Sequence, residues 1–303
     1  MNISPLTGIC ASSLSVVFLI IVYAFIRGSR GLRAYIIMRT LLTIPMVFIL
    51  VTVIFFVMRV IPGDPVSSQL GPRGGPELRE RLTRELGLDQ PVSVQYVNYL
   101  SRIVRLDLGS SLIFGNRPIV DELSERLPAT LELIIPSLLV AVGFGVIAGT
   151  FAAQHRKDVV DYSLRLFSIT AYSIPVFWLG LMLQVIFSLW LKLTPVAGRI
   201  DAVIGTTLQR RTNLLVLDSI ISGNWPALGS ALLHLVLPSV ALGLILTGVF
   251  LRLSRINVIE TLVQDYILAA RARGIRENVV VYRHALSNAL IPIVTLIGLQ
   301  FSV

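Results

Sequence analysis

The sequence predicts an all-α fold, a polytopic bundle of membrane-crossing helices, and three observations carry that expectation. The 303 residues are 54% hydrophobic and 14% charged, with a mean hydropathy of +0.80. A soluble domain carries about 25% charged residues, so this chain has too little polar surface to face water on all sides. Charge-free apolar stretches recur at the length of about 20 residues that a bilayer core demands. Arginines gather between particular pairs of those stretches and not others, the mark of loops held on the cytoplasmic side.

The stretches run in order through Ile9–Ile26, Thr40–Met58, Leu133–Gln154, Leu166–Leu191, Ala231–Leu251 and Ala285–Val303. Arg27, Arg30, Arg33 and Arg39 lie between the first two without an acid among them. Arg252, Arg255, Arg271, Arg273, Arg276 and Arg283 lie between the last two, against Glu260, Asp265 and Glu277. Both loops are expected inside, and alternation puts His155, Arg156 and Lys157 inside as well. The fourth stretch is long and is expected to tilt or run beyond the core as a single crossing. Splitting it in two would reverse the side of everything after it.

The segment between the second and third stretches is of another character. From Gly63 to Ala129 it holds eight Lys/Arg and nine Asp/Glu, so it is expected outside. Pro62, Gly63, Asp64 and Pro65 form a turn-rich exit. Pro76 to Leu86 has helical spacing with alternating charge, and Val94, Val97, Leu100, Val104 and Leu106 space a second short helix. Asn116, Arg117 and Pro118 make a turn before Val120–Arg126. Residues 61–129 are therefore expected to form a small helical cap, with a solvated loop as the alternative.

Several kinds of chemistry are not signalled. There is no G-x-x-x-x-G-K-[ST] phosphate cradle, so any ATP hydrolysis is expected on another polypeptide. His155, His234 and His284 stand far apart without metal-ligand spacing, and Cys10 is the only cysteine, so no metal site is expected. No G-x-S-x-G or coherent Ser/His/Asp pattern appears, and no catalytic residue is expected. The net charge of +9 does not call for nucleic acid, because in a membrane protein arginines collect on inner loops and helix ends.

Polar groups inside the spans are few: Gln184, His234, Thr247 and Gln300. Such groups are costly in lipid and face the bundle interior. Gln184 and Gln300 are candidate pathway-lining residues, and hydrogen bonding to a neighbouring helix is the alternative for each. No carboxylate lies within a span, Glu132 being assigned to a helix end. Proline and glycine recur in the spans, which permits kinks and close helix approach. Pro175 and Pro292 are candidate hinges.

The most informative stretch lies between the last two spans. In Asp265-Tyr266-Ile267-Leu268-Ala269-Ala270-Arg271-Ala272-Arg273-Gly274, residues Tyr266, Ala269, Ala270 and Arg273 share one helix face. That face is small in the middle and would let another protein's surface come close. Asp265 at the start and Arg271 and Arg273 at the end complement the helix dipole. Gly274 suits the left-handed residue that ends a helix. So short a helix is marginal alone in water and needs a surface to dock on.

The run DYILAARARGIRENVVVYRHALSNALIP resembles the cytoplasmic coupling loop, the EAA loop, of ATP-binding-cassette importer permeases, and within them the dipeptide, oligopeptide and nickel family, B-type. The resemblance extends to LLTIPMVFILVTVIFFVMRVIPGDPV from Leu41, ELGLDQPVSVQYV from Glu85, LDLGSS from Leu106, ERLPATLEL from Glu125 and SIPVFWLG from Ser173. All occur in the family's order across residues 33–303. Leu268 stands at the glutamate position of EAA, while Ala269, Ala270 and Gly274 match. His284-Ala285-Leu286-Ser287 replaces the later I-x-L-P.

The resemblance implies the type I importer permease fold over 33–303, with a coupling loop at 255–284 whose helix is cytoplasmic. It implies a multi-pass protein of a prokaryotic cytoplasmic (inner) membrane. It implies a second homologous permease subunit, two cytoplasmic ATPases that carry the ATP and magnesium, and an extracytoplasmic substrate-binding protein. Asp265, Tyr266, Ala269, Ala270, Arg271, Arg273 and Gly274 would then form the contact with the ATPase. Peptides are the expected cargo, with nickel chelates or glutathione as alternatives within the family. A transporter or channel working without ATP is the alternative from another class, and it would need a buried ion-coupling carboxylate. Residues 1–32 depart from the family pattern and are expected to be an extra, retained N-terminal transmembrane helix rather than a cleaved signal peptide, since they lack a basic n-region. The family continues beyond the point that corresponds to Val303, so the C-terminus is expected to be incomplete.

Overall fold

The computed structural model describes residues 29–60, 76–85, 87–111 and 117–301. The Ile9–Ile26 stretch, the Pro62–Pro65 exit and Asn116 lie outside the described residues. The chain divides into two compact units, Met1–Arg126 and Leu127–Val303.

In the first unit, helix α1 spans Arg30–Val60 and is apolar on all sides, as expected for a helix facing lipid. Near its end Phe55 is buried, with ring centroids 5.2 and 5.4 Å from Tyr96 and Tyr99. Thr52 Oγ1 and Tyr96 Oη are hydrogen-bonded at 2.6 Å. Helix α2 covers Pro76–Glu85 and carries an i,i+4 pair between Glu80 and Arg84 at 2.8 Å. Helix α3 covers Val92–Val104 and supplies both tyrosines. It ends in a tight turn in which Leu106 and Gly109 have positive φ. The Asp107 carboxylate accepts the Gly109 N–H at 3.0 Å and Arg102 Nε at 3.1 Å. Those bonds hold the Asp107 carboxyl below its usual range. Ser110 and Pro118 then form an isolated antiparallel bridge that leads into the next helix.

Helix α4 runs without interruption from Ile119 to Gln154. Val120–Arg126 is therefore its first two turns, with Asp121 and Glu122 placed favourably at the positive end of the dipole. Glu132, expected at a helix end, lies well inside this helix and is only 8% exposed.

The second unit is built around helix α9, Trp225–Leu262. Asn224 caps it by accepting the Ala227 N–H at 3.1 Å, with Pro226 in the first turn, where its missing N–H costs nothing. Helix α4 packs against α9 through glycines. A Cβ on Gly145 would meet Phe250 Cβ at 2.6 Å, and one on Gly149 would meet the Leu251 carbonyl at 2.5 Å. Gly243 of α9 is equally tight against Val140. Close backbone approach is thus the role of these glycines, whereas Gly143, Gly180 and Gly298 have open space. Phe250, Leu138, Ala141, Val146 and Ile293 form the main apolar cluster.

The fourth stretch is not one straight helix. Helix α5, Val159–Ser173, and helix α6, Val176–Leu183, meet at a 97° bend. The cause is local: Pro175 disfavours helical geometry at Ile174, which is extended at ψ 128°. Helix α6 continues as a π-helical turn over Gln184–Trp190. Each arm is about 22 Å long, short of the roughly 30 Å hydrocarbon core. Together they are long and apolar enough to count as one broken span, the count that the expected alternation of sides requires.

Between the broken span and α9 lies a folded loop holding helices α7, Ala202–Thr207, and α8, Leu215–Ile221. After α9 come helix α10, Asp265–Ala272, a short helix α11, Glu277–Val279, a π-helical segment Val280–Ala285, and helix α12, Leu286–Phe301.

Candidate functional site

The loop between α9 and α12 is folded throughout, and helix α10 is its centre. Gln264 precedes α10 in extended conformation, and Asp265 occupies the first turn. The far end closes as a Schellman motif. The Gly274 N–H bonds the Arg271 carbonyl at 2.9 Å, and the Ile275 N–H bonds the Ala270 carbonyl at 3.3 Å. Gly274 has φ +71° with open space around a would-be Cβ, so the backbone conformation alone calls for glycine.

Helix α10 lies on its own chain through Ile267 and Ala270. Both are buried against Val280 and Ala285, with Leu262 and Ile275 at the margin. The face expected to be continuous is therefore divided. Ala270 turns inward because it is one turn from Ile267, which the apolar contact claims. Tyr266, Leu268, Ala269 and Arg273 remain exposed, Leu268 at 52%. Tyr266 is braced by Asn288 Nδ2, which donates to its hydroxyl at 2.6 Å. Arg271 is also committed within the chain. Its Nη2 and Nε reach the two oxygens of Glu277 at 2.6 and 3.1 Å, and Nη1 reaches the Leu262 carbonyl at 3.4 Å. The Glu277 carboxylate raises the Arg271 pKa. Arg271 thus fastens α10 to both flanking elements.

The same end of the second unit contains the loop after α4. Gln154 Nε2 donates to Asn278 Oδ1 at 2.8 Å. Asp161, at the start of α5, is 1% exposed and forms a bidentate pair with Arg255 of α9, at 2.5 and 2.7 Å. At the opposite end, Glu132 accepts Arg199 Nη2 at 2.7 Å and the Val216 N–H at 2.6 Å. Asp218, also buried, accepts the Arg211 and Thr212 N–H groups and the Thr212 hydroxyl. Among the described residues, the buried carboxylates of Glu132 and Asp161, on α4 and α5, are thus each occupied by an arginine and a backbone N–H. Neither presents a vacant site for a coupling ion.

Gln184 begins the π-helical turn, and its side-chain amide donates to the Val196 carbonyl. With Phe177, Thr194, Leu233, His234 and Pro238 it lines a cavity of about 420 Å³. Gln300 is half-buried near the end of α12, apart from that cavity's lining. Pro175 is at the 97° break, whereas Pro292 lies inside α12. Sequence reasoning placed Glu132 at a helix end without a partner and did not single out Asp161, Arg199 or Asp218. Acidic residues at Glu132 and Asp161 beside apolar runs were the available signal.

Residues 145–303 match the family model described as binding-protein-dependent transport system inner membrane component. Residues 32–134 match the model of the N-terminal part of such membrane components. The chain is 38% identical over 260 residues to the di/tripeptide transport system permease protein of Pseudomonas aeruginosa, covering 86% of this chain and 76% of that one. It is 38% identical over 269 residues to the dipeptide transport system permease protein of Escherichia coli, covering 88% and 79%. It is 35% identical over 267 residues to an Escherichia coli glutathione transport system permease protein, covering 88% and 77%.

Proposed function

This chain belongs to the family of binding-protein-dependent transport system inner membrane components, and from that premise we propose that it carries peptides through an ATP-driven importer. It is a multi-pass permease subunit of the cytoplasmic membrane, and such importers work with ATPase and substrate-binding partners. The finer assembly is a second homologous permease beside this one, two cytoplasmic ATPases and one extracytoplasmic binding protein. The chain itself is non-catalytic, and ATP and magnesium are held by the ATPases.

One observation carries the mechanical part of this reading. Helix α10 is fastened to its own bundle by Ile267, Ala270 and Arg271, and it leaves Tyr266, Leu268, Ala269 and Arg273 exposed. A short helix so fixed, with an exposed apolar residue at its middle, is suited to dock in a partner's groove. Closure of the ATPase pair would move α10, and α10 would move the spans on either side of it. The closure must favour one state of the permease by differential contacts for work to be transmitted. Peptide cargo is inferred from the relatives named as dipeptide and di/tripeptide permeases. Glutathione, itself a small peptide, is the second reading, from the relative named for it.

Uptake of labelled dipeptide, tripeptide and glutathione into proteoliposomes holding the complete importer tests the cargo. ATP-dependent accumulation of dipeptide or tripeptide is the expected result. Accumulation of glutathione alone would replace the first reading with the second.

A further inference from the structure

Helices α5 and α9 are fastened to each other at two points, two turns apart along each helix. At one point the buried Asp161 forms its bidentate pair with the half-buried Arg255, and the Lys157 N–H also donates to Asp161 Oδ2 at 3.1 Å. At the other, Ser168 Oγ donates to the Gly248 carbonyl at 2.7 Å. The backbones nearly touch there, since a Cβ on Gly248 would lie 2.6 Å from the Ser168 carbonyl oxygen. Equal spacing on two antiparallel helices fixes their register. Neither can slide along the other without breaking a bidentate ion pair and a buried hydrogen bond together.

The position of this joint gives it a consequence. Helix α9 leads within two residues into α10, and Arg271 ties α10 back to the Leu262 carbonyl at the end of α9. Helix α5 leads at its far end into the Ile174–Pro175 break. We propose that the Asp161–Arg255 pair is a transmission strut, which makes α5 travel with α9 so that displacement of α10 is delivered to the bend at Ile174–Pro175. Asp161 and Arg255 act as positioning residues for the transport stroke. Helix α6 and the Gln184 cavity lie beyond that bend and receive the motion. The inference rests on α10 being the ATPase contact and adds where the motion goes.

A strut differs from a purely structural ion pair in what its loss uncouples. Asp161→Asn leaves a half-buried guanidinium without its carboxylate and is the direct variant. Asp161→Leu combined with Arg255→Met is the second, because an apolar pair of similar volume removes the unpaired charge and preserves folding. Each is reconstituted with the partner permease, ATPases and binding protein, and the ratio of ATP hydrolysed to peptide imported is measured in proteoliposomes. Transmission through the strut predicts that the double variant retains its ATPases and at least half of wild-type hydrolysis, while the ratio rises fivefold or more. A ratio within twofold of wild type, whether or not the amount of assembled complex falls, would overturn the proposal. Failure of the wild-type chain to retain ATPases would count instead against the assignment of α10.

Discussion

The side chain of Gln154 donates to Asn278 at 2.8 Å, joining the last residue of α4 to the segment that follows α10. Residues so distant in sequence put the His155–Lys157 loop and the α10–α11 segment at one end of the second unit. The arginine pattern assigned both to the inner side, and their adjacency agrees with that assignment.

Sidedness can be measured directly. In a Cys10-free background, a cysteine at Gln209 should react with an impermeant thiol reagent from outside intact cells. A cysteine at Arg276 should react only after permeabilisation. Both positions are exposed, so burial would not mask the outcome. The reverse labelling pattern would overturn the orientation.

The loop that contains α7 and α8 should depend on Glu132. Its carboxylate holds Arg199 and the Val216 N–H, and removing it leaves a half-buried N–H without its acceptor, at a cost of up to about 1–3 kcal/mol. Arg199 is more than a third exposed, so water takes up part of its loss. Glu132→Ala should therefore speed tryptic cleavage at Arg210 and Arg211 several-fold in spheroplasts, with normal membrane levels. Unchanged cleavage would show that the loop is held by other contacts.

Gly274→Asp introduces a Cβ at φ +71°, a strain of about 1 kcal/mol, and sets an acid against the negative end of α10. The chain should still insert in the membrane. Peptide uptake should fall about fivefold, the factor that corresponds to 1 kcal/mol. Uptake at the wild-type rate would mean that the helix end tolerates the change and that its closure is not needed for coupling.

The division of the α10 face predicts two different failures from two adjacent substitutions. Ala270→Trp overfills the contact with Val280 and Ala285, at a cost of about 1–3 kcal/mol, and should lower the amount of permease in the membrane. Ala269→Trp lies on the exposed side and should leave that amount unchanged while reducing ATPase co-purification. Equal membrane levels and equal ATPase recovery for both variants would show that the two alanines do not face different partners.

Much of helix α10 was legible in the sequence because its determinants are local. Asp265 at the first turn, the alanines at the centre and Gly274 at the end specify a short capped helix without reference to the rest of the chain. Which alanine faces inward was not legible, since Val280 and Ala285 become its neighbours only after the chain reverses at Ile275. Among the described residues apolar length located the long helices, but their true ends were set elsewhere. Helix α4 starts at Ile119, because polar residues such as Asp121 and Glu122 are good first-turn residues and do not stop a helix. The bend at Ile174–Pro175 had its cause in view, a proline after a helical run, yet the apolar stretch continued across it. The pairs Glu132–Arg199 and Asp161–Arg255 join distant segments, and hydropathy carries no signal for such a match.

The central claim is that the exposed side of α10 is where the ATPase meets this chain. The most direct measurement places a photo-crosslinking amino acid at Leu268, with Gln209 as the control, in cells that express the whole importer. Irradiation should yield a permease–ATPase adduct from Leu268, seen by mass spectrometry, and none from Gln209. An adduct from neither position, with the ATPases still co-purifying, would contradict the account and move the contact away from α10.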